Sequence, residues 1–140
     1  MRISTWLFVV VCLIVGFVAA GLWSWPSYQK HQQIKSGLRA AELGAQLAFM
    51  ENAYRAKNGV FTADFSNLEP FMDTAVPCPL TPAPYSCNGY IYTLEKPSWL
   101  LASLETDPDV YIAFELEQGG VDCSHAPQAL EKTPVCSSFE

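Results

Sequence analysis

Four cysteines outside the apolar N-terminal run carry the most specific chemical signal in this sequence. They are Cys78, Cys87, Cys123 and Cys136, whereas a fifth, Cys12, lies inside the run. An even set of cysteines behind a membrane or export segment favours disulfide bonds and an oxidising compartment. Eight residues separate Cys78 from Cys87, so a disulfide could close this small loop. A Cys123–Cys136 bond would likewise close the C-terminal tail.

Zinc binding is the alternative chemistry for these cysteines. Structural zinc sites usually draw on closely spaced cysteine pairs. Such pairs are absent here, although His125 stands near Cys123. The sequence therefore predicts disulfides and no metal site, while the connectivity of the bonds stays open.

Acidic side chains near predicted turns form the second candidate group, and they are Glu105, Asp107, Asp109 and Asp122. Several carboxylates on one turn could hold calcium, but the EF-hand spacing is absent, so solvated turns are the favoured interpretation. The chain also lacks a nucleophile elbow, a zincin motif, a phosphate loop and a dinucleotide fingerprint. We predict no catalytic residues, no cofactor and no enzymatic activity.

The element that must organise the chain is a long predicted helix. Its first half, residues 1–25, includes the uncharged run Trp6–Trp25, which is about as long as a membrane span. Pro26 should kink the helix or restart it. Helix-forming residues then continue until Asn58 and Gly59, a pair that typically ends a helix.

A cleavable signal peptide is the competing interpretation of the apolar run. Arg2 and the small residues Val18-Ala19-Ala20 fit such a signal. However, Trp23 and Trp25 follow the small residues, and tryptophans suit the interface at the end of a retained anchor. Retention is favoured, and the cysteines place the C-terminal domain outside the cytoplasm.

Two apolar stripes run along the second half of the helix, residues 26–58. One stripe is enough to cover the sheet of the same domain, so the other predicts a contact with a wrapped loop or a neighbouring subunit. We assign the second stripe to such an interface. The first stripe consists of Ile34, Leu38, Ala41, Ala45, Ala48 and Phe49, and the second of Leu43, Leu47, Met50 and Tyr54.

The remaining residues predict one α+β domain that spans 26–140. Prolines make 59–88 a connecting loop, and alternating apolar residues predict an antiparallel sheet in 89–123, with strands at 89–94, 99–104 and 110–116 and a short edge strand at 121–123. Residues 124–140 form a disulfide-closed tail. The net charge of −6 and the pI near 4.8 disfavour nucleic acid as a partner.

This arrangement resembles the type IV pilin and type II secretion pseudopilin superfamily. Precursors in that superfamily often show a short basic leader, Gly, then Phe-Thr-Leu-Ile-Glu, an apolar run and a proline. Here residues 1–4 take the place of the leader, Thr5 to Val9 the start of the mature segment, and Pro26 the place of the proline. The likeness continues through residues 54–59 and the C-terminal cysteine pair, so it covers the chain from end to end.

Two departures from the superfamily pattern affect what the resemblance implies. Ser4 stands where the processing peptidase prefers Gly, and Val9 stands where most subunits carry Glu. In the superfamily that glutamate is thought to pair with the freed amino terminus of a neighbour inside an apolar bundle. The expectation is therefore a minor, tip or non-assembling subunit. Cleavage at Ser4, cleavage after Ala20 and retention of the leader all stay open.

The resemblance also implies a location and partners. The expected location is the bacterial inner membrane, crossed once, with the C-terminal domain in the periplasm or in a surface fibre. The expected partners are other pilin-like subunits and the assembly platform, with secretion cargo as a further candidate. The alternative function is an anchored or secreted binding module for a peptide, a saccharide or cargo, with stacking by Tyr85, Tyr90, Trp99 and Tyr111.

Overall fold

The computed structural model describes residues 2–95 and 98–137. The predicted turn at Lys96-Pro97 and the last three residues lie outside this range. One helix, α1 (Arg2–Asn58), continues through Pro26. Of the two effects predicted for the proline, a kink or a restart, the restart does not occur. The helix ends where predicted, because Gly59 adopts a φ of +83° and its N–H donates to the Arg55 carbonyl at 2.7 Å.

The chain divides into two compact units, Met1–Gln33 and Ile34–Glu140. The first is the apolar half of α1. Within the described residues, α1 is the one helix that is long and apolar enough to cross a membrane, with a mean hydropathy of 2.6 over its best window. None of that window is buried by the protein itself. The apolar half of α1 is thus a candidate single membrane span.

The second unit combines the C-terminal half of α1 with a five-stranded antiparallel sheet, which confirms the predicted α+β class. Neighbouring strands follow one another in the chain, so the sheet is a meander. Gly89, at a φ of +82°, and Gly119, at +76°, occupy turn positions that few other residues adopt. The strands are β1 (Tyr85–Cys87), β2 (Tyr90–Glu95), β3 (Trp99–Leu104), β4 (Asp107–Glu115) and β5 (Val121–Asp122).

Two parts of the sheet differ from the sequence prediction. The stretch 59–88 was predicted to be a connecting loop, but it contains a 3-10 helix (Phe65–Phe71) and strand β1. The segment Asp107-Pro108-Asp109 was predicted to be a turn, but it begins β4. Pro108 is tolerated there because it lies at the exposed start of the strand, next to an irregular register between Ser103 and Leu104.

The core lies between α1 and the sheet. Tyr85 of β1 and Tyr90 and Tyr92 of β2 are fully or almost fully buried. The Tyr92 hydroxyl donates to the Ala40 carbonyl of α1 at 3.3 Å, so the sheet is hydrogen-bonded to the helix as well as packed against it. Leu130, from a short 3-10 helix (Gln128–Leu130) in the tail, completes the core. A four-residue helix, α2 (Pro134–Ser137), follows it.

Candidate functional site

The two apolar stripes of α1 are both present, but their roles are exchanged. Leu43, Leu47 and Met50, predicted to contact another subunit, are 3%, 0% and 3% exposed and belong to the core of their own domain. Tyr54, the fourth member, is half-buried, and its ring packs edge-on against the ring of Phe71 with 6.0 Å between the ring centroids. These four residues are therefore covered within their own domain, one of the two alternatives that the sequence left open, and they do not offer a free surface to a neighbouring subunit.

The exposed apolar stripe is the one that was expected to cover the sheet. Phe49 is 62% exposed, Leu38 is 36% exposed and Ala45 is also exposed. Only half of the stripe is exposed, since Ala41 is buried and Ile34 and Ala48 are half-buried. Aromatic and aliphatic side chains left on the outside of a helix cost solvation free energy unless a partner covers them. This stripe is the strongest candidate for an interaction surface on the second unit.

A groove lies along the exposed stripe, between α1 and the connection that follows the first 3-10 helix. We call it the helix–loop groove. Its volume is about 430 Å³, and its lining combines apolar side chains with two carboxylates. A second hollow, lined by Arg39 and Pro77 among others, shares Glu42 with it. The residues that define the helix–loop groove are Glu42, Ala45, Gln46, Phe49 and Met50 from α1 and Asp73, Thr74 and Val76 from the connection.

The Cys78–Cys87 disulfide ties this connection to the sheet. The S–S bond joins the segment after the groove to β1, and the Tyr85 hydroxyl donates to the Cys78 carbonyl at 2.8 Å. The second disulfide joins Cys123 to Cys136 and holds the tail. These are the two loops that the sequence predicted to be closed by disulfides. The Cys78–Cys87 bond anchors the segment that follows directly after the wall of the groove.

A buried carboxyl group fastens the other end of the connection to α1. Glu51 is fully buried, and its Oε2 accepts the backbone N–H of Thr62 at 3.0 Å. Its Oε1 is buried without a hydrogen-bond partner among the described residues. Burial raises the pKa of Glu51 to about 7, although the bond from Thr62 lowers it. Sequence reasoning missed this residue, because an isolated glutamate in a helix is usually solvated.

The end of α1 carries an exposed cation that links three segments. The Arg55 guanidinium lies 3.0 Å from a carboxylate oxygen of Glu117 and 4.8 Å from the centre of the Phe61 ring. Because both ionic partners are partly exposed, the ion pair adds little to stability. It does hold the residues after α1 near the turn that follows β4.

The positions named for processing and assembly are spread along the first unit. Thr5 and Val9 lie in α1, where Val9 is 52% exposed, and Pro26 lies inside the same helix with an exposed side chain. The side chain of Ser4 lies outside the described residues. The structure does not bring these positions into a site, and it does not test their roles.

The aromatic residues proposed for ligand stacking are mostly inside the protein. Tyr85 and Tyr90 belong to the core and cannot reach a ligand without unfolding. Trp99 is half-buried in β3. Tyr111 is half-buried, and its ring stacks on the imidazole of His125 with 4.6 Å between the ring centroids. The binding-module hypothesis therefore loses two of its four stacking residues.

The acidic turns do not gather into a site. Glu105, Asp107, Asp109 and Asp122 are exposed, and Asp122 accepts the Ser124 N–H at 2.8 Å. That bond, together with one from the Ser124 side chain, lowers the pKa of Asp122. Within residues 2–95 and 98–137, no three His, Cys, Asp or Glu side chains form a group able to hold a metal ion.

Comparison with known proteins adds no relative. No protein family, no curated protein and no solved structure matches this chain.

Proposed function

We propose that this chain is a structural or accessory subunit of a type IV pilus or type II secretion pseudopilus, of the minor, tip or non-assembling kind. The observation that carries the proposal is the composition of α1. The N-terminal part of this one helix is a candidate membrane span, and its C-terminal part covers a disulfide-bonded sheet. Such a chain is suited to anchoring a small domain at a membrane while offering helix surface to neighbours.

The exposed stripe of α1 supports a role in packing with other subunits. Leu38, Ala45 and Phe49 lie outside the domain core. The opposite stripe is buried inside the domain. Burial of Phe49 and Leu38 against a neighbouring subunit would remove apolar surface from water and so contribute to a contact. The proposed partners are other pilin-like subunits and their assembly platform in the inner membrane.

The disulfides support a location outside the cytoplasm. Both bonds lie in the second unit, and disulfides persist in oxidising compartments. The proposal therefore places this unit in the periplasm or in a surface fibre. Val9 supports a minor or accessory role, because an assembly route that depends on a carboxylate at that position is closed to this chain.

A binding module is the second candidate, and the helix–loop groove is the observation that favours it. The groove offers an apolar floor beside Glu42 and Asp73, which suits an apolar side chain next to a cation. A peptide or a secreted protein could supply that pair. This candidate predicts a ligand that binds the isolated protein and no dependence on pilin-like partners.

The mature amino terminus tests the proposal. The protein is isolated from its native membrane and its first residues are sequenced. A start at Thr5, or an intact leader, keeps the apolar half of α1 in the mature protein, as a membrane-anchored subunit requires. A start at Gly21 would remove the span and overturn the proposal.

A further inference from the structure

We propose that the helix–loop groove binds the Lys35–Arg39 segment of a second copy of this chain, with Leu38 of the incoming copy on the apolar floor and its two cations beside Glu42 and Asp73. The inference deepens the proposed function and rests on it, because it names the partner of the exposed stripe. Groove and segment both belong to the second unit of the protein.

The groove is built for an apolar side chain that has positive neighbours. Ala45, Met50 and Val76 provide an apolar floor and wall, and the exposed ring of Phe49 stands at its side. Two carboxylates, Glu42 and Asp73, line the same hollow, and both side chains are exposed to solvent. Within the described part of the chain, neither carboxylate takes part in an ion pair. The groove thus presents two carboxylates without an ion-pair partner beside a hydrophobic surface, although Arg39 of the same copy lies one helical turn from Glu42.

The segment 35–39 has the complementary composition. Lys35 and Arg39 lie one helical turn apart on α1, and Leu38 lies between them in sequence. All three side chains are exposed. A leucine flanked by two cations matches an apolar hollow flanked by two carboxylates. Opposite charges in this arrangement specify the orientation of the docked segment and increase its rate of association.

The distribution of charge along the chain favours a second copy as the source of this segment. All fourteen acidic residues lie from Glu42 onward, whereas four of the eight basic residues precede it. Every copy therefore carries a cationic stretch of helix and, immediately after it, a strongly acidic domain. Among the later cations, Arg55 is already paired with Glu117, and Lys57 lies over the ring of Phe71. Lys132 is also exposed, but it stands next to Glu131 in sequence, whereas Lys35 and Arg39 form a pair on one helix.

The proposed contact joins different surfaces of the two copies. Leu38 and Phe49 are eleven positions apart on one helix, so a copy docked with a parallel helix is displaced by roughly 16 Å along the axis. Each copy would use its segment on one neighbour and its groove on another. Repetition of such a contact produces an open-ended array rather than a closed pair. This outcome fits the minor-subunit form of the proposed function and not its tip or non-assembling forms.

A charge-exchange experiment tests the contact on the full chain in detergent micelles. Lys35→Glu reverses the sign of one charge on the segment, and Asp73→Lys reverses the sign of one charge in the groove. Sedimentation velocity at low salt measures the self-association of each variant alone and of the two mixed. We expect each variant alone to associate about tenfold more weakly than the native chain or worse, since like charges then face each other. The mixture should recover association, because each variant can then meet a partner of opposite charge.

Matched controls separate this contact from a general effect of net charge. Lys132→Glu and Glu105→Lys make the same charge changes at exposed positions outside the groove, and they should associate like the native chain. A native chain that stays monomeric, variants that associate normally, or a mixture that does not recover would each overturn the inference. None of these results would decide whether the protein belongs to a fibre, which is tested separately by the mature amino terminus and by partners captured in cells.

Discussion

Gly44 of α1 lies against the aromatic ring of Phe114 in β4, so closely that a methyl group at residue 44 would overlap the ring. The absence of a side chain is what lets the helix approach the sheet here. Gly37, seven residues earlier on the same face, is similar, since a Cβ there would lie 2.7 Å from Leu130. The face of α1 that packs on the core is therefore marked by two glycines, one against the sheet and one against the C-terminal tail.

Gly44→Ala should destabilise the second unit. An alanine normally stabilises a helix by about 1 kcal/mol relative to glycine. Here the added methyl group must displace the Phe114 ring, and overpacking of this kind typically costs about 1–3 kcal/mol. Thermal unfolding of the full chain in detergent, followed by near-UV circular dichroism, should show a lower midpoint. Gly37→Ala is the control, because the flexible Leu130 side chain can move aside, and its midpoint should fall less.

The stability of the second unit should depend on pH through Glu51. Burial raises the pKa of this carboxyl from 4.5 to about 7, so the native state retains a proton that the unfolded chain releases. Relative to high pH, this proton stabilises the folded state fully below pH 4.5. The stabilisation is lost as the pH rises through 7, the pKa of Glu51 in the folded protein. Glu51→Gln should remove this dependence, and it should exceed the native chain in stability at pH 8 by no more than about 3 kcal/mol.

Unfolding midpoints at several pH values between 5 and 8 check this expectation. The comparison of interest is the difference between Glu51→Gln and the native chain, because other titrating groups contribute equally to both. A difference that stays constant across this range would show that Glu51 does not titrate in it. Thr62→Ala serves as a companion variant, since it keeps the backbone N–H that Glu51 accepts.

The Cys78–Cys87 bond should matter for both stability and the groove. A disulfide that encloses so short a loop contributes about 2–3 kcal/mol by restricting the unfolded chain. The double substitution by serine should lower stability by that amount. It should also speed hydrogen exchange in residues 72–80 more than in β3. Equal acceleration in both segments would mean that the bond does not hold this connection specifically.

Aspartate substitutions on opposite faces of α1 should separate core from surface. Leu47→Asp places a charge in the core and should prevent folding, since the side chain is 0% exposed. Phe49→Asp changes a ring that is 62% exposed and should alter the free energy of unfolding by about 0.5 kcal/mol or less. Near-UV circular dichroism reports both. A folded Leu47→Asp protein would contradict the assignment of this face to the core.

Parts of the fold were predictable because local chemistry decides them. Asn58 and Gly59 mark the end of α1, and alternating apolar residues mark β2, β3 and most of β4. Strand β1 was not predicted, because three residues are too few to show an alternating pattern. Pro108 suggested a turn, but a proline also fits the exposed start of a strand.

The candidate interaction surface was harder to predict, for a physical reason. Periodicity finds apolar stripes on a helix, but it does not say which stripe is buried when both are apolar. The missing signal is the spacing of Gly37, Gly44 and Glu51, each seven residues from the next on one face. Glycines within a helix indicate a close approach, and the fully buried Glu51 lies on the same face. Leu38 and Phe49 belong to the other stripe.

Photo-crosslinking from residue 49 in the native cells tests the central claim most directly. A photoreactive phenylalanine analogue replaces Phe49, the cells are irradiated intact, and the adducts are identified by mass spectrometry. The same analogue at Lys132, which is also exposed, is the control. We expect adducts from residue 49, and not from residue 132, with chains that have an apolar N-terminal helix before a small α+β domain. No such adduct from residue 49, or the same adducts from both positions, would contradict it.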